Sequence, residues 1–308
     1  MSQATRAAGR VRASPGVPPA DRRARRQYRR GALLIAGATL AWSSSGLITR
    51  IADTDAWTTL FWRSVFACPV LLIYLVLREG RGSLQAFRGL GLAGWGIAVS
   101  FAVSMLCFIV ALKQTSVAHV LIFQAASPLF AGILAWAWLG EKLSGRMVAA
   151  IALTACGVGI MVSASLAAGR WLGDLLSALM AISFSLMVVL ARADRRADMI
   201  AAACLATALA ALVVVPWSSF EVSRFDLALL ALFGIGQMGL ALVLFTAGVR
   251  LIPAADAGLI SVLEAVLAPL WAWLAVGENP GLRTMVGGAI VVGAVVLYGV
   301  LDRTAPST

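Results

Sequence analysis

Ten stretches of mostly apolar residues follow one another along this chain: 31–50, 56–77, 90–112, 116–139, 144–165, 172–191, 198–217, 226–249, 255–276 and 282–301. A helix rises 1.5 Å per residue, so about 20 apolar residues cross the ~30 Å hydrocarbon core of a bilayer. Barrel strands would be half as long and would alternate with period two, and these runs do neither. The polar connections are short, which makes neighbouring helices antiparallel. Charged residues make up only 13% of the 308 and apolar ones 61%, against about a quarter charged in a soluble domain. Too little polar surface remains to face water. The sequence therefore reads as an all-α integral membrane protein of ten transmembrane helices.

The formal charge of +11 does not point to nucleic acid. Nine of the 25 Lys and Arg residues lie within the first thirty positions, among Pro15, Pro18 and Pro19. No aromatic platform accompanies them. We read 1–30 as a disordered basic tail held at the cytoplasmic face and drawn to anionic lipid. A transit peptide would share its Arg-rich look; a cleaved signal peptide fits poorly. With the N-terminus inside, nineteen basic residues fall on the inner side and five on the outer, Arg63 lying within a span. The positive-inside rule then places both termini, including a short tail at 302–308, in the cytoplasm. The expected location is a bacterial inner membrane.

An internal repeat organises the spans. A shift of 137 superimposes Phe108 on Phe245, Lys113 on Arg250, Trp136 on Trp273, Gly140-Glu141 on Gly277-Glu278 and Arg146 on Arg283. Nearer the start, a shift of 142 aligns Gly31, Leu33, Leu34, Ser43 and Arg50 with Gly173, Leu175, Leu176, Ser185 and Arg192. The units are 31–165 and 172–301. Each holds five spans, an odd number, so the second copy enters the membrane inverted. Inverted repeats characterise secondary transporters, whose substrate sites lie near the midplane between the copies.

Motifs in this order resemble the EamA-like transporters of the drug/metabolite transporter superfamily. They are Ala41-Trp42-Ser43-Ser44, Phe61-Trp62-Arg63-Ser64, Ser127-Pro128 and Leu139-Gly140-Glu141-Lys142-Leu143-Ser144 in the first copy. The second copy adds Gly173-Asp174-Leu175-Leu176, Leu263-Glu264-Ala265-Val266, Trp273 and Gly277-Glu278. Ala265 stands where that family often has proline, with Pro269 one turn later, and Leu205 stands where the first copy has Arg63. The resemblance implies export of small organic metabolites, often amino acids, without ATP. It does not fix the substrate.

Polar residues inside the spans are the site candidates. Arg63 lies about two turns into the second span, where an unpaired charge costs at least ~2.5–3.5 kcal/mol. It reads as an anion-binding or gating residue, or as a snorkelling or structural one. Glu264 near the middle of the ninth span is a candidate proton-coupling carboxyl, or a glutamate that fixes packing. The two could pair. His119, the only histidine, starts the fourth span; it is a second proton-coupling candidate, or an exposed helix-end residue. Ser127-Pro128 and Pro269 are expected to kink spans four and nine, as transporters do near binding sites. Gln124, Gln237, Ser261, Ser100 and Ser104 lie at useful depth. Trp42 and Trp271 could stack on an apolar substrate, as could Trp136 and Trp273, or meet lipid. Of Ser43, Ser44 and Ser45, at least two are expected to bond their own helix. Glu141 and Glu278 read as structural, favouring the positive end of the helix that follows. The four cysteines read as buried small hydrophobes.

Secondary transport is the leading function, possible with a proton as the coupling ion. An intramembrane enzyme would need clustered catalytic groups, and the chain offers one His and mostly end-placed acids. No Gly-rich Lys-Ser/Thr loop for ATP is present, which removes a primary pump. A membrane scaffold or scramblase-like protein without solute specificity stands as the alternative. No cofactor and no metal are expected. The partners expected are a small-molecule substrate and membrane lipid, not nucleic acid, with a homodimer left open.

Overall fold

The computed structural model describes residues 19–140, 144–167, 169–194, 197–252 and 254–303. Glu141, Lys142, Arg195, Arg196 and the tail segments 1–18 and 304–308 lie outside the described residues. All regular structure among the described residues is helical. Span 1 is Pro19–Ser43 followed, after Ser44, by Ser45–Ile51. Span 2 is Ala56–Glu79, span 3 Gly91–Gln114, and span 4 Val117–Ala125 plus Ser127–Leu139. Span 5 is Gly145–Ala167, span 6 Trp171–Ala193 and span 7 Met199–Val214. Span 8 runs through Arg224–Leu232, a π-helical stretch Phe233–Leu240, and Ala241–Gly248. Span 9 is Ala254–Ser261 plus Leu263–Val276, and span 10 is Leu282–Arg303. Among the described residues nine helices are long and apolar enough to cross a membrane, and the two halves of span 4, bent by 41°, make a tenth when counted as one span.

Span 1 starts at Pro19, well before the expected residue 31. The basic stretch 19–30 is therefore helical rather than disordered. Arginine is a good helix former, no glycine interrupts 19–30, and proline at a first helical position presets φ. The connection after span 2 also carries structure, a turn at Gly80–Gly82 and a short helix Ser83–Arg88.

Packing follows the repeat. Span 1 lies on span 8 and span 6 on span 3; span 2 on span 8 and span 7 on span 3; span 9 on span 1 and span 4 on span 6. Spans 2 and 7, 4 and 9, and 5 and 10 meet across the copies. Adding five to each span number maps this set onto itself, as an inverted pseudo-two-fold requires. Local devices repeat as well. Asp55 caps span 2 by accepting from the Trp57 and Thr58 N–H groups, and Asp198 caps span 7 by accepting from Ile200 and Ala201. Gly140 and Gly277 end spans 4 and 9 in the left-handed region, at φ +68° and +69°. Such a residue satisfies last-turn carbonyls without a Cβ clash.

In lipid the helices gain little from apolar burial alone, so close contact holds them together. Spans 5 and 10 touch through glycine: a Cβ on Gly157 would sit 2.7 Å from the Gly287 carbonyl oxygen. Trp136 and Trp273, equivalent in the repeat, are both exposed on the outer surface and face lipid rather than an interior.

Candidate functional site

Span 2 carries Arg63 into the bundle with only 3% of its surface exposed. Span 8 is built to meet it. Gly234 packs directly on the Arg63 carbonyl and the Phe66 Cβ, leaving no room for a side chain there. The π-helical stretch around Gly234 turns Gln237 and Met238 toward the guanidinium; such bulges recur at functional sites. Arg63 Nη2 donates to Gln237 Oε1 at 3.0 Å and lies 3.5 Å from Met238 Sδ. The guanidinium carbon sits 4.8 Å from the Phe233 ring centre and 5.9 Å from that of Phe108. Aromatic faces stabilise a cation out of water. Among the described residues Nε and Nη1 have no hydrogen-bond partner, nor do the buried hydroxyls of Ser64, Ser45 and Ser127. Two bare charged donors in the interior are costly to leave unmet, and an acceptor group on a solute would meet them.

Glu264 lies in the first turn of the second half of span 9 and is 7% exposed. A carboxylate there meets the positive end of the half-helix. Glu264 and Arg63 do not form the direct ion pair that the sequence left open. Ser127, the repeat counterpart of Glu264, begins the second half of span 4. Its carbonyl accepts from Ser185 Oγ at 2.8 Å.

The expected kinks differ between the copies. Span 4 breaks at Ala126, and Pro128 sits in the first turn of the new helix. Span 9 breaks at Val262, a full turn and more before Pro269, which lies inside Leu263–Val276. The break follows the repeat rather than the proline.

The remaining candidates divide. Trp271 Nε1 donates to Ser43 Oγ at 3.0 Å and ties span 9 to span 1. Trp42 packs on Phe245, ring centres 5.0 Å apart. Ser100 is buried and Gln124 half-buried. Ser104 Oγ is spent on the Met180 carbonyl at 3.1 Å, and Ser261 Oγ on its own helix at Ala257, 2.9 Å away. Ser43 and Ser44 also bond their own helix, through Leu40 and Ala41. Cys156 is exposed and Cys68 half-buried, so only Cys107 and Cys204 fit the reading of buried small hydrophobes.

His119 is not an exposed helix-end residue. It is 2% exposed. Nδ1 lies 2.7 Å from Asp174 Oδ1 and Nε2 2.9 Å from Thr284 Oγ1. Thr115 Oγ1 reaches the same Asp174 oxygen at 3.4 Å. One imidazole thus joins span 4 to the first turns of spans 6 and 10, across the copies. Sequence reasoning missed this triad. The available signal was Asp174, an acid inside an apolar span start, which needs a partner when buried.

Beside it, Arg50 Nε pairs with Glu278 Oε2 at 2.7 Å and Nη2 donates to the Thr115 carbonyl at 2.6 Å. Glu278 Oε1 accepts the Val117 N–H at 2.7 Å. Glu278 therefore serves the positive end of span 4 in the other copy, not the helix that follows it. The opposite end of the bundle has a lighter tie, the ion pair of Arg78 with Asp198. Among the described residues no hydrogen bond or ion pair joins His119 to Arg63 or Glu264, so the candidates fall into two groups: the buried charges Arg63 and Glu264, and a polar seal at the Glu278 end.

Comparisons with known proteins bear on the whole chain. No curated protein matches it in sequence. A solved crystal structure of another protein superposes with a TM-score of 0.64 over 89% of this chain and 99% of that one, at 23% identity. This is a likeness of fold alone. The profile of the EamA-like transporter family matches twice, over residues 29–163 and 171–300. Each match takes in five spans, the centre at Arg63 falling in the first and Glu264 in the second, and the chain belongs to the EamA-like transporter family.

Proposed function

We propose that this membrane transporter exports small amino-acid-like or amphiphilic metabolites by alternating access, with proton coupling at Glu264. The observation that carries this reading is Arg63, 3% exposed and with two guanidinium nitrogens unmet by protein. A carboxylate on the solute would take one of these donors together with the second N–H of Nη2, the bidentate geometry that a guanidinium favours. The apolar part of the solute would lie along Phe108 and Phe233. Glu264 would exchange a proton as the site changes sides, its charge felt by Arg63 and hence by the bound anion. Ser100, Gln124 and Ser127 are the remaining groups that could orient the solute.

Both termini are assigned to the cytoplasmic side of an inner membrane, on the charge bias of the loops. The seal of Arg50, Thr115, His119, Asp174, Glu278 and Thr284 then lies at the outer end. Release to the outside requires those ties between the copies to part, while the Arg78–Asp198 end tightens. His119 would act in this step as a proton-sensitive latch.

Flux into proteoliposomes, measured for a panel of carboxylate and non-carboxylate metabolites, tests the reading. Saturable flux of carboxylates is expected. Flux of no solute would sink it, and lipid scrambling without solute flux would favour the scramblase-like alternative. A reporter fused after Thr308 is expected to read cytoplasmic; an outside signal would reverse the assignment of the two ends.

A further inference from the structure

Spans 2 and 7 cross between the two repeats, and a pair of thiols sits where they touch. Cys68 Sγ lies 3.6 Å from Cys204 Sγ. Each sulfur also lies 3.8 Å from the carbonyl oxygen of the other cysteine. Leu71, Ala203, Phe101 and Leu242 surround the pair. Cys68 is half-buried and gives a small membrane-permeant reagent a way in, while Cys204 is buried behind it. The other two cysteines, Cys107 and Cys156, have no such neighbour.

We propose that Cys68 and Cys204 form an oxidation site, a dithiol that a membrane-permeant two-electron oxidant converts to a disulfide joining the two repeats. The azo compound diamide is the oxidant used here as probe. A Cys68 thiolate adds to one nitrogen of the N=N bond. Cys204 then attacks that sulfur, the S–N bond breaks, and the S–S bond forms. Both thiol protons and two electrons end on the nitrogens as a hydrazine. The sulfurs must close from contact to about 2.05 Å, which side-chain rotation can supply when the Cβ atoms are already near. Contact between the sulfurs makes the second step fast.

The bond would fix span 2 of one repeat to span 7 of the other. It would therefore stop alternating access, a consequence that rests on the transport function proposed above. The site itself is tested without transport. The full chain in liposomes is treated with diamide, free thiols are alkylated, and the protein is digested and mapped by mass spectrometry. The expected result is one linked peptide pair, Cys68 with Cys204, with Cys107 and Cys156 alkylated. Cys68→Ala and Cys204→Ala should each abolish the link. Linkage absent after exhaustive treatment, or spread over all four cysteines, overturns the site. In the same liposomes oxidation should abolish flux, dithiothreitol should restore it, and both alanine variants should transport with or without diamide. A formed disulfide with undiminished flux overturns the lock. Absence of flux in the reduced protein counts against the transport reading, and the mapped disulfide then stands on its own.

Discussion

Spans 4 and 9 are the clearest test of how far the two copies agree. Both are broken near the middle, at Ala126 and Val262, and both end in a left-handed glycine. Yet the second half of span 4 opens with the neutral Ser127, while the equivalent turn of span 9 holds Glu264. The same contrast recurs elsewhere. Arg63 in span 2 puts a charge in the bundle interior, whereas Leu205 of span 7 packs into the apolar core. Span 3 is regular α-helix at Ser100, where span 8 has its π-helical stretch and Gln237. Backbone breaks and caps obey the repeat; charge does not. A buried charge in the membrane costs several kcal/mol, so duplicating both the cation and the carboxylate would double that cost for one solute site.

Making the copies alike should therefore destroy function while sparing the fold. The largest effect is expected for Arg63→Leu, which copies Leu205 into span 2. Flux should fall to background with an unchanged size-exclusion profile; retained flux would remove Arg63 from the site. Arg63→Lys keeps the charge but loses the planar fork. Losing charge-assisted hydrogen bonds at ~1.5–3 kcal/mol corresponds to about 10- to 100-fold weaker half-saturation for carboxylate solutes. Next comes Glu264→Gln, with Glu264→Ser as the form that copies Ser127. Both should leave the protein folded and flatten the pH dependence of flux, and an unaltered pH profile would place the coupling proton elsewhere.

Breaking the seal should cost stability more than transport chemistry. His119→Ala leaves Asp174 and Thr284 without the imidazole, at 2% and 4% exposure for the His119 and Asp174 side chains. Unmet buried polar groups cost about 1–3 kcal/mol each. The expected result is a lower thermal midpoint in detergent, with the carboxylate selectivity of the transporter unchanged. A shifted selectivity would instead mean that His119 touches the solute.

Much of the scaffold was legible because bilayer thickness imposes span length and loop charge follows orientation. Ten spans, two units and the Ser127 break could all be read from run lengths and the shift of 137. The contacts of the site could not. Arg63 and Glu264 were visible as charges in apolar runs, but their separation depends on how spans 2 and 9 pack. The His119 triad and the Cys68–Cys204 contact join residues from different copies, and no local pattern encodes such meetings. The π-helical stretch around Gly234 was illegible for another reason. Its Gly234 packs on the Arg63 backbone of span 2, a contact between spans that the local sequence does not encode. Helix 19–30 was misjudged because charge was weighed above the helix-forming tendency of arginine.

The smallest effects belong to the caps, where the two copies use the same residue. Asp55→Ala should cost about 0.5–2 kcal/mol, the usual worth of an N-cap. Burial raises the Asp55 pKa, but hydrogen bonds from the Thr58 side chain and the Thr58 and Trp57 N–H groups outweigh it and hold it below 3.8. The folded value is depressed, so the ionised cap stabilises above pH 3.8 and that contribution is lost as pH falls through the lower folded value. Asp198 makes the same two backbone bonds but also pairs with Arg78, each side chain about one-fifth exposed. An ion pair so exposed adds only ~0.2–1 kcal/mol. Asp198→Ala should therefore lower the thermal midpoint slightly more than Asp55→Ala, and Arg78→Gln should account for the difference. Equal losses from the two alanine variants would mean that the Arg78 pair adds no more to the Asp198 cap than the Thr58 hydroxyl adds to the Asp55 cap.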